Sequence, residues 1–269
     1  GLCAFALVYV GTQLRAEGDV RGSLILHEDA NAILSSRPFT RLQGMNLSCM
    51  GRLACDLRML ERARELNARA SKVCDDHGDR FLAALGLANL AQLEQEVKSF
   101  SRAEQLYTEA ISRFSAAHEP QYQGIYETRR ATSFLEWGKL DQAFASFGAA
   151  EQSLGLVHAP TSRVFLYAAW AFAEASVGRE HAAASRLAMA KEAAQRGAQG
   201  VTGLALELLG GAVELLGPQP DPTALAYWRD RAKALTPTDD EPGSTAHNLD
   251  ARLALRLLER ALARHHVAA

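Results

Sequence analysis

The chain has 269 residues, 48% hydrophobic, 22% charged and 7% aromatic, with a formal net charge of -2. This balance belongs to an ordinary folded protein and not to a disordered, collagenous or disulfide-dense one. It also argues against nucleic acid as a direct partner, because such proteins concentrate basic charge on one face; the one Arg-rich stretch, 252–264, contains Glu259, follows Asp250 and reads as a solvated helix face.

The opening ten residues, GLCAFALVYV, are apolar but break at Gly11-Thr12-Gln13. They are too short to cross a bilayer and lack a basic leader region, so neither a membrane span nor a signal peptide is expected. The helical pattern begins almost at Gly1, as expected of a domain from a longer protein. Ala and Leu, the residues that lose least on entering a helix, dominate nearly every segment, and runs of Val, Ile and Thr are absent.

Taken in chain order, the segments repeat. A small residue in a first helix (A) is followed twelve residues later by a triplet in a second helix (B), spaced four and three so that its members share one face. Repeat one has Gly11 and the weak triplet Ser23, His27, Ala30; repeat two has Gly51 and Ala63, Asn67, Ala70. Repeat three has Ala91 and Ala103, Tyr107, Ala110; repeat four has Ala131 and Ala143, Phe147, Ala150. Repeat five has Ala171 and Ala183, Leu187, Ala190, and repeat six has Gly211 with a drifted triplet, Leu225, Arg229, Ala232. The period is forty, with two extra residues before the last copy. A small residue at every register predicts close approach of the two helices.

The punctuation agrees. Gly18, Gly138 and Gly178 stand five residues before a triplet, where the A helix must end in a left-handed conformation. His118-Glu119-Pro120 and His158-Ala159-Pro160 end B helices, since proline cannot continue them. Residues 217–222, GPQPDP, predict a rigid turn inside repeat six, and 236–243, TPTDDEPG, a polar loop. Ser244 or Thr245 then suits the N-cap of a terminal helix running to about His265. The stripe Leu249, Leu253, Leu257, Ala261 predicts that this helix covers the exposed face of the last repeat. The expected architecture is therefore all-α: six antiparallel helix pairs over residues 1–243 and a capping helix with its tail over 244–269.

A small residue in helix A, a turn glycine and an Ala-x3-aromatic-x2-Ala helix B resemble the tetratricopeptide repeat (TPR), most clearly around Phe134, Gly138, Ala143, Phe147 and Ala150. The family's usual length is ~34 residues, so the forty-residue period resembles its long variants, such as the C-terminal solenoids of large bacterial ATP-dependent regulators and multidomain kinases. The resemblance implies a right-handed α-solenoid whose A helices line a concave groove. Placing the family register on Gly51, Ala91, Ala131 and Ala171 then points Ser48, Arg52 and Asp56 of repeat two into the groove, with Gln92, Gln95 and Glu96 of repeat three. Thr128, Thr132 and Glu136 follow in repeat four, Phe172 and Ser176 in repeat five, and Arg15 joins from repeat one; Phe172 and Trp170 are candidate anchors. The two-Lys, two-Asn clamp of chaperone-binding members has no counterpart, so a C-terminal carboxylate tail is not the expected ligand.

Chemistry-bearing motifs are scarce. No GxxxxGK[ST], GxSxG or HExxH pattern occurs, and Gly210-Gly211 reads as close helix packing. His77, His118 and His158 recur at the ends of B helices, where the helix dipole favours positive charge, and His27 reads as a satisfied core histidine. His265-His266 reads as a frayed terminus. Cys3, Cys49, Cys55 and Cys74 form no CxxC pair and are expected to be reduced core thiols of a cytoplasmic protein. No cofactor, no metal and no catalysis are expected. The expectation is a scaffold or sensor that binds a protein or peptide segment within a larger bacterial signalling protein, without direct contact to nucleic acid or membrane. Open solenoid ends would allow self-association. The alternative is a receptor for a small ligand or short peptide that controls an attached effector; an all-helical enzyme is a third reading.

Overall fold

The computed structural model describes residues 2–36, 40–196, 201–236 and 249–266, and within them the chain forms thirteen helices and no strand. It divides into two compact units, Gly1–Tyr126 and Glu127–Ala269.

The first unit contains α1 (Leu2–Glu17), α2 (Val20–Ser35), α3 (Arg41–Asp56), α4 (Leu60–Asp76), α5 (Arg80–Glu96), α6 (Phe100–Ala116) and the start of α7 (Pro120–Trp137). The A helices stop at a common register. The residue that turns the chain from A to B is left-handed at positions 18, 58, 98, 138 and 178, a spacing of forty: Gly18, Gly138 and Gly178 with φ of +98°, +84° and +76°, but Arg58 and Lys98 with +58° and +60°. Glycine accepts this conformation at no steric cost, whereas the two side chains place Cβ against the carbonyl and are strained there. Asp19 and Asp79 open α2 and α5 by accepting from Gly22 N at 2.8 Å and Leu82 N at 3.0 Å, satisfying amides that have no partner inside the helix.

The phased small residues mark the closest approaches. A Cβ on Gly11 would lie 2.9 Å from the His27 ring, and one on Gly51 would overlap the Asn67 amide. Repeat three keeps the small-large order, with Ala91 and Tyr107 both fully buried. Phe114 completes this core by stacking on Tyr126 at 5.4 Å, with Phe81 edge-on at 5.8 Å. His27 is buried, its Nδ1–H donating to Asn46 Oδ1 at 2.7 Å while Asn46 Nδ2 donates to the His27 carbonyl at 2.9 Å. Burial lowers its pKa below the ordinary imidazole value, because it disfavours the charged ring.

The second unit contains the rest of α7, then α8 (Leu140–Gly155), α9 (Pro160–Ser176), α10 (Glu180–Gln195), α11 (Val201–Leu215), α12 (Pro222–Leu235) and α13 (Leu249–His266). Phe147 is fully buried and stacks on Trp170 at 5.6 Å, with the Arg186 guanidinium 3.6 Å from the other ring's centroid. Trp170, a candidate anchor, is thus buried between helices. In repeat six the residue opposite the small position is Trp228, which a Cβ on Gly211 would overlap; Arg229 is exposed. The drifted triplet is corrected accordingly, the ring having moved one position to face the gap that glycine leaves. The predicted N-cap at Ser244 or Thr245 and the loop after Thr236 lie outside the described residues, as does the Leu249 side chain.

Two of the four thiols depart from the expectation of core burial. Cys55 and Cys74 are buried, and burial beside Asp79 and Asp75 pushes the Cys74 thiol up to about 11, but Cys49 is half-buried and Cys3 is exposed on α1.

Candidate functional site

The predicted groove residues fall into two sets, one in each unit. In the first unit they are joined laterally, one A helix to the next. Arg15 Nε donates to Asp56 Oδ2 at 2.9 Å, across 41 residues, and Arg52 Nη1 donates to Gln92 Oε1 at 3.1 Å, across 40. Asn89 Nδ2 reaches the Ser48 carbonyl at 3.4 Å, and Gln95 Oε1 accepts the Tyr107 hydroxyl at 2.9 Å. Ser48, Asp56, Gln92 and Gln95 are buried, while Arg15, Arg52 and Glu96 remain half-exposed and are the groups of this set that water reaches. Arg64 on α4 adds a bond to Glu94 Oε1 at 3.0 Å, which favours its charged form. The face is thus a polar ladder whose rungs are set by the forty-residue period.

In the second unit the same register turns apolar. The series Arg52, Gln92 continues as Thr132, Phe172 and Ala212, and the series Asp56, Glu96 continues as Glu136, Ser176 and Leu216. Thr128 and Thr132 are buried, Thr132 Oγ1 donating to the Arg129 carbonyl at 2.8 Å; Ser176 Oγ donates to the Ala173 carbonyl at 2.7 Å. Phe172 and Ser176, with Leu135, Leu140 and Leu216, line a cavity of about 50 Å³ whose remaining wall is Arg260, Ala261 and Arg264 of α13.

The last helix therefore lies on Glu136, Phe172 and Ser176 of the residues assigned to the groove. Leu253, Leu257 and Ala261 are buried as the stripe predicts, but so are Ala251, Ala254, Leu255, Leu258 and Leu262, so the helix is covered on more than one side. Arg256 Nε donates to Glu136 Oε1 at 2.7 Å. Arg260 Nη1 donates to the Leu135 carbonyl at 2.8 Å, Arg264 Nη2 to the Ser176 carbonyl at 3.3 Å, and His265 Nε2–H to the Leu215 carbonyl at 2.7 Å. These carbonyls close α7, α9 and α11, where the last turn has acceptors without helical donors and partial negative charge. Two expectations are corrected here. The Arg-rich stretch is solvated only in part, since Arg260 and Arg264 stay exposed while Arg252 is buried and Arg256 is bonded to Glu136, and His265 is not frayed; Arg260, Arg264 and His265 supply donors to three helix C-termini. The four-residue spacing of Arg256, Arg260 and Arg264 put them on one face, but nothing local said what that face meets.

Among the described residues no three His, Cys, Asp or Glu side chains converge as a metal site would need, and no helix is long and apolar enough to cross a membrane. His77 caps α4, its ring bonded to the Val73 carbonyl at 2.8 Å.

Comparison with solved structures identifies the architecture. A thermophilic TPR protein of Thermus thermophilus matches 79% of this chain and 99% of its own, with 22% identity and a TM-score of 0.54. Aspartyl phosphate phosphatase F of Bacillus subtilis matches 97% of this chain and 69% of its own, with 12% identity and a TM-score of 0.71.

The fold is that of a TPR-like helical repeat.

The Rap conjugation gene regulator of the plasmid pLS20, solved with the Phr peptide, matches 97% of this chain and 75% of its own at 12% identity and a TM-score of 0.67. At these identities the likeness is one of fold. No protein-family model and no curated protein matches the chain in sequence.

Proposed function

We propose that this chain is a non-catalytic, cytoplasmic module that binds a peptide or protein segment on the polar A-helix face of its first unit, within a bacterial signalling protein. The observation that carries the reading is the difference between the two sets of groove residues. Of the second set, Glu136, Phe172 and Ser176 already face α13. The first keeps Arg15, Arg52 and Glu96 half-exposed above a buried polar row of Ser48, Asp56, Gln92 and Gln95. An extended peptide carries a backbone donor and acceptor at every residue, and the half-exposed Arg15, Arg52 and Glu96 offer donors and an acceptor to it. The Rap regulator, of the same fold, is solved with a peptide, which supports the ligand class. The non-catalytic reading is supported by two carboxylates of the first unit's A helices that are held by cations, Asp56 by Arg15 and Glu94 by Arg64.

The runner-up is a small-ligand receptor controlling an attached effector. The cleft that favours it holds about 150 Å³ and is lined by His158, Arg163, Tyr167, Glu192 and Arg196. Ligand pockets are usually about 300–1,000 Å³, so the peptide reading leads. The test is a peptide-library screen on the wild type and on the double variant Arg52→Ala, Gln92→Ala. Peptides bound by the wild type and lost by a folded variant are the expected result. Equal binding by both overturns the placement, and binding of no peptide together with a thermal shift by a compact solute favours the receptor.

A further inference from the structure

The cleft of about 150 Å³ in the second unit is lined by His158, Pro160, Arg163 and Tyr167, from α9 and the turn before it, and by Glu192 and Arg196 at the end of α10. Arg163 is half-buried, and its Nη2 donates to the Leu154 carbonyl at 2.7 Å and to the Val157 carbonyl at 3.1 Å. These bonds tie the guanidinium to the turn between α8 and α9. Among the described residues its Nε–H and Nη1–H groups meet no acceptor, and no carboxylate lies within ion-pair distance of it. Two neighbouring arginines differ: Arg186 is paired with Glu151 at 2.6 Å, and Arg196 with Glu192 at 2.5 Å. Glu151 also holds the Tyr167 hydroxyl, so Tyr167 offers the cleft its ring. Helix α9 opens at Pro160 with no side-chain cap from Ala159, which leaves the positive end of its dipole without a protein acceptor. The end of α10 has the opposite polarity, and Arg196 offsets it there.

We propose that this cleft binds the oxyanion group of a compact organic ligand, a carboxylate or a phosphate, with Arg163 as its cationic partner. Three observations select that chemistry. The lining carries two arginines against one glutamate, a net charge of +1 before His158 takes up a proton. The guanidinium is already fixed by backbone carbonyls, so an anion reaches its remaining N–H groups without first ordering the side chain. The rest of the wall, Pro160 and the Tyr167 ring, is apolar and suits the organic part of the ligand. The volume is small beside the usual ~300–1,000 Å³ of drug-sized sites, which limits the ligand to a compact one. The site lies wholly in the second unit and does not rest on peptide binding by the first; it gives the small-ligand reading a chemical class.

The test is calorimetric titration of the whole chain with three probes: benzoate, phenyl phosphate and benzamide, the last having the shape of benzoate without its charge. At least one of the two anions should bind, and benzamide should bind about tenfold more weakly or worse, because a hydrogen bond to a charged group is the stronger one. The tighter of the two anions names the source of the oxyanion. Arg163→Gln should abolish binding. Since Arg163 also holds the turn before α9, a second variant is needed that leaves the fold alone. His158 is exposed and has no hydrogen-bond partner among the described residues. His158→Glu places a negative charge on the cleft lining and should weaken anion binding by about two- to fivefold with an unchanged circular dichroism spectrum. Arg229→Gln, at an exposed position on α12, should leave the affinity as it is. Failure of both anions to bind at millimolar concentration would overturn the proposal. So would benzamide binding as tightly as benzoate, an affinity unchanged by both cleft variants, or one lost with Arg229→Gln.

Discussion

In the first unit, the residues that look from one A helix towards the next are polar and satisfy one another: Arg15 with Asp56, Arg52 with Gln92, Asn89 with the Ser48 carbonyl. In the second unit, the same register begins with Thr132 and Glu136 but ends in Phe172, Ala212 and Leu216, and α13 lies against its Glu136, Phe172, Ser176 and Leu216. A repeat supplies a polar group with a neighbour one period away, so a ladder can close on itself. Apolar side chains gain only by leaving water, so an apolar face requires something laid over it. The first arrangement leaves polar groups within reach of a ligand; the second consumes the face in folding.

The largest expected effect breaks this contrast directly. Ending the chain at Gly243 removes a helix that buries Leu253, Leu255, Leu257, Leu258 and Leu262. At about 2 kcal/mol per buried leucine the loss is on the order of 10 kcal/mol as an upper bound, comparable with the whole stability of a domain. The truncated chain should aggregate, detected by light scattering, and a soluble truncation of equal stability would show that α13 is not needed as a cover. Next is Phe147→Ala, which removes a fully buried ring stacked on Trp170. It should cost about 3–5 kcal/mol in urea denaturation, and a near-neutral result would place the second unit's core elsewhere.

The first unit should respond to pH through His27. Its folded pKa lies below the ordinary value of 6.5, because burial disfavours the charged ring. The unfolded chain then binds the proton more readily, so His27's contribution is complete above about 6.5 and is lost as pH falls from there towards the folded value. Denaturation midpoints measured from pH 8 to pH 5 should fall in the wild type, and His27→Gln should flatten that slope. The smallest effect sharpens the period itself. Lys98 is left-handed where Gly18, Gly138 and Gly178 stand in other repeats. Lys98→Gly should therefore raise stability by about 0.5–1 kcal/mol, the relief of Cβ strain less the added freedom of the unfolded chain. A loss instead would mean that the lysine side chain contributes more than its backbone strain costs.

Legibility followed the range over which each feature is encoded. The small-large phasing of Gly11 with His27, Gly51 with Asn67 and Gly211 with its partner lies within a single helix pair, and the number of helices followed from it. Where a local rule was replaced by another residue type, the reading failed: Arg58 and Lys98 take the glycine conformation unseen, and Trp228 took the place assigned to Arg229. Of the site, the positions were readable but their partners were not. Gln92 and Glu136 were both assigned to the A-helix face, yet one meets Arg52 and the other meets Arg256.

By itself the amino-acid sequence determined that this protein is a helical repeat of period forty, where the helices that end at glycine or proline stop, and the small-large pairing within most helix pairs. These are consequences of side-chain periodicity and backbone stereochemistry over a turn or two. Only the tertiary structure decided that α13 lies across the ends of α7, α9 and α11, with Arg256 meeting Glu136 across 120 residues. An amphipathic stripe specifies that a face will be buried, but the surface that buries it is chosen by shape and charge once the repeats have assembled.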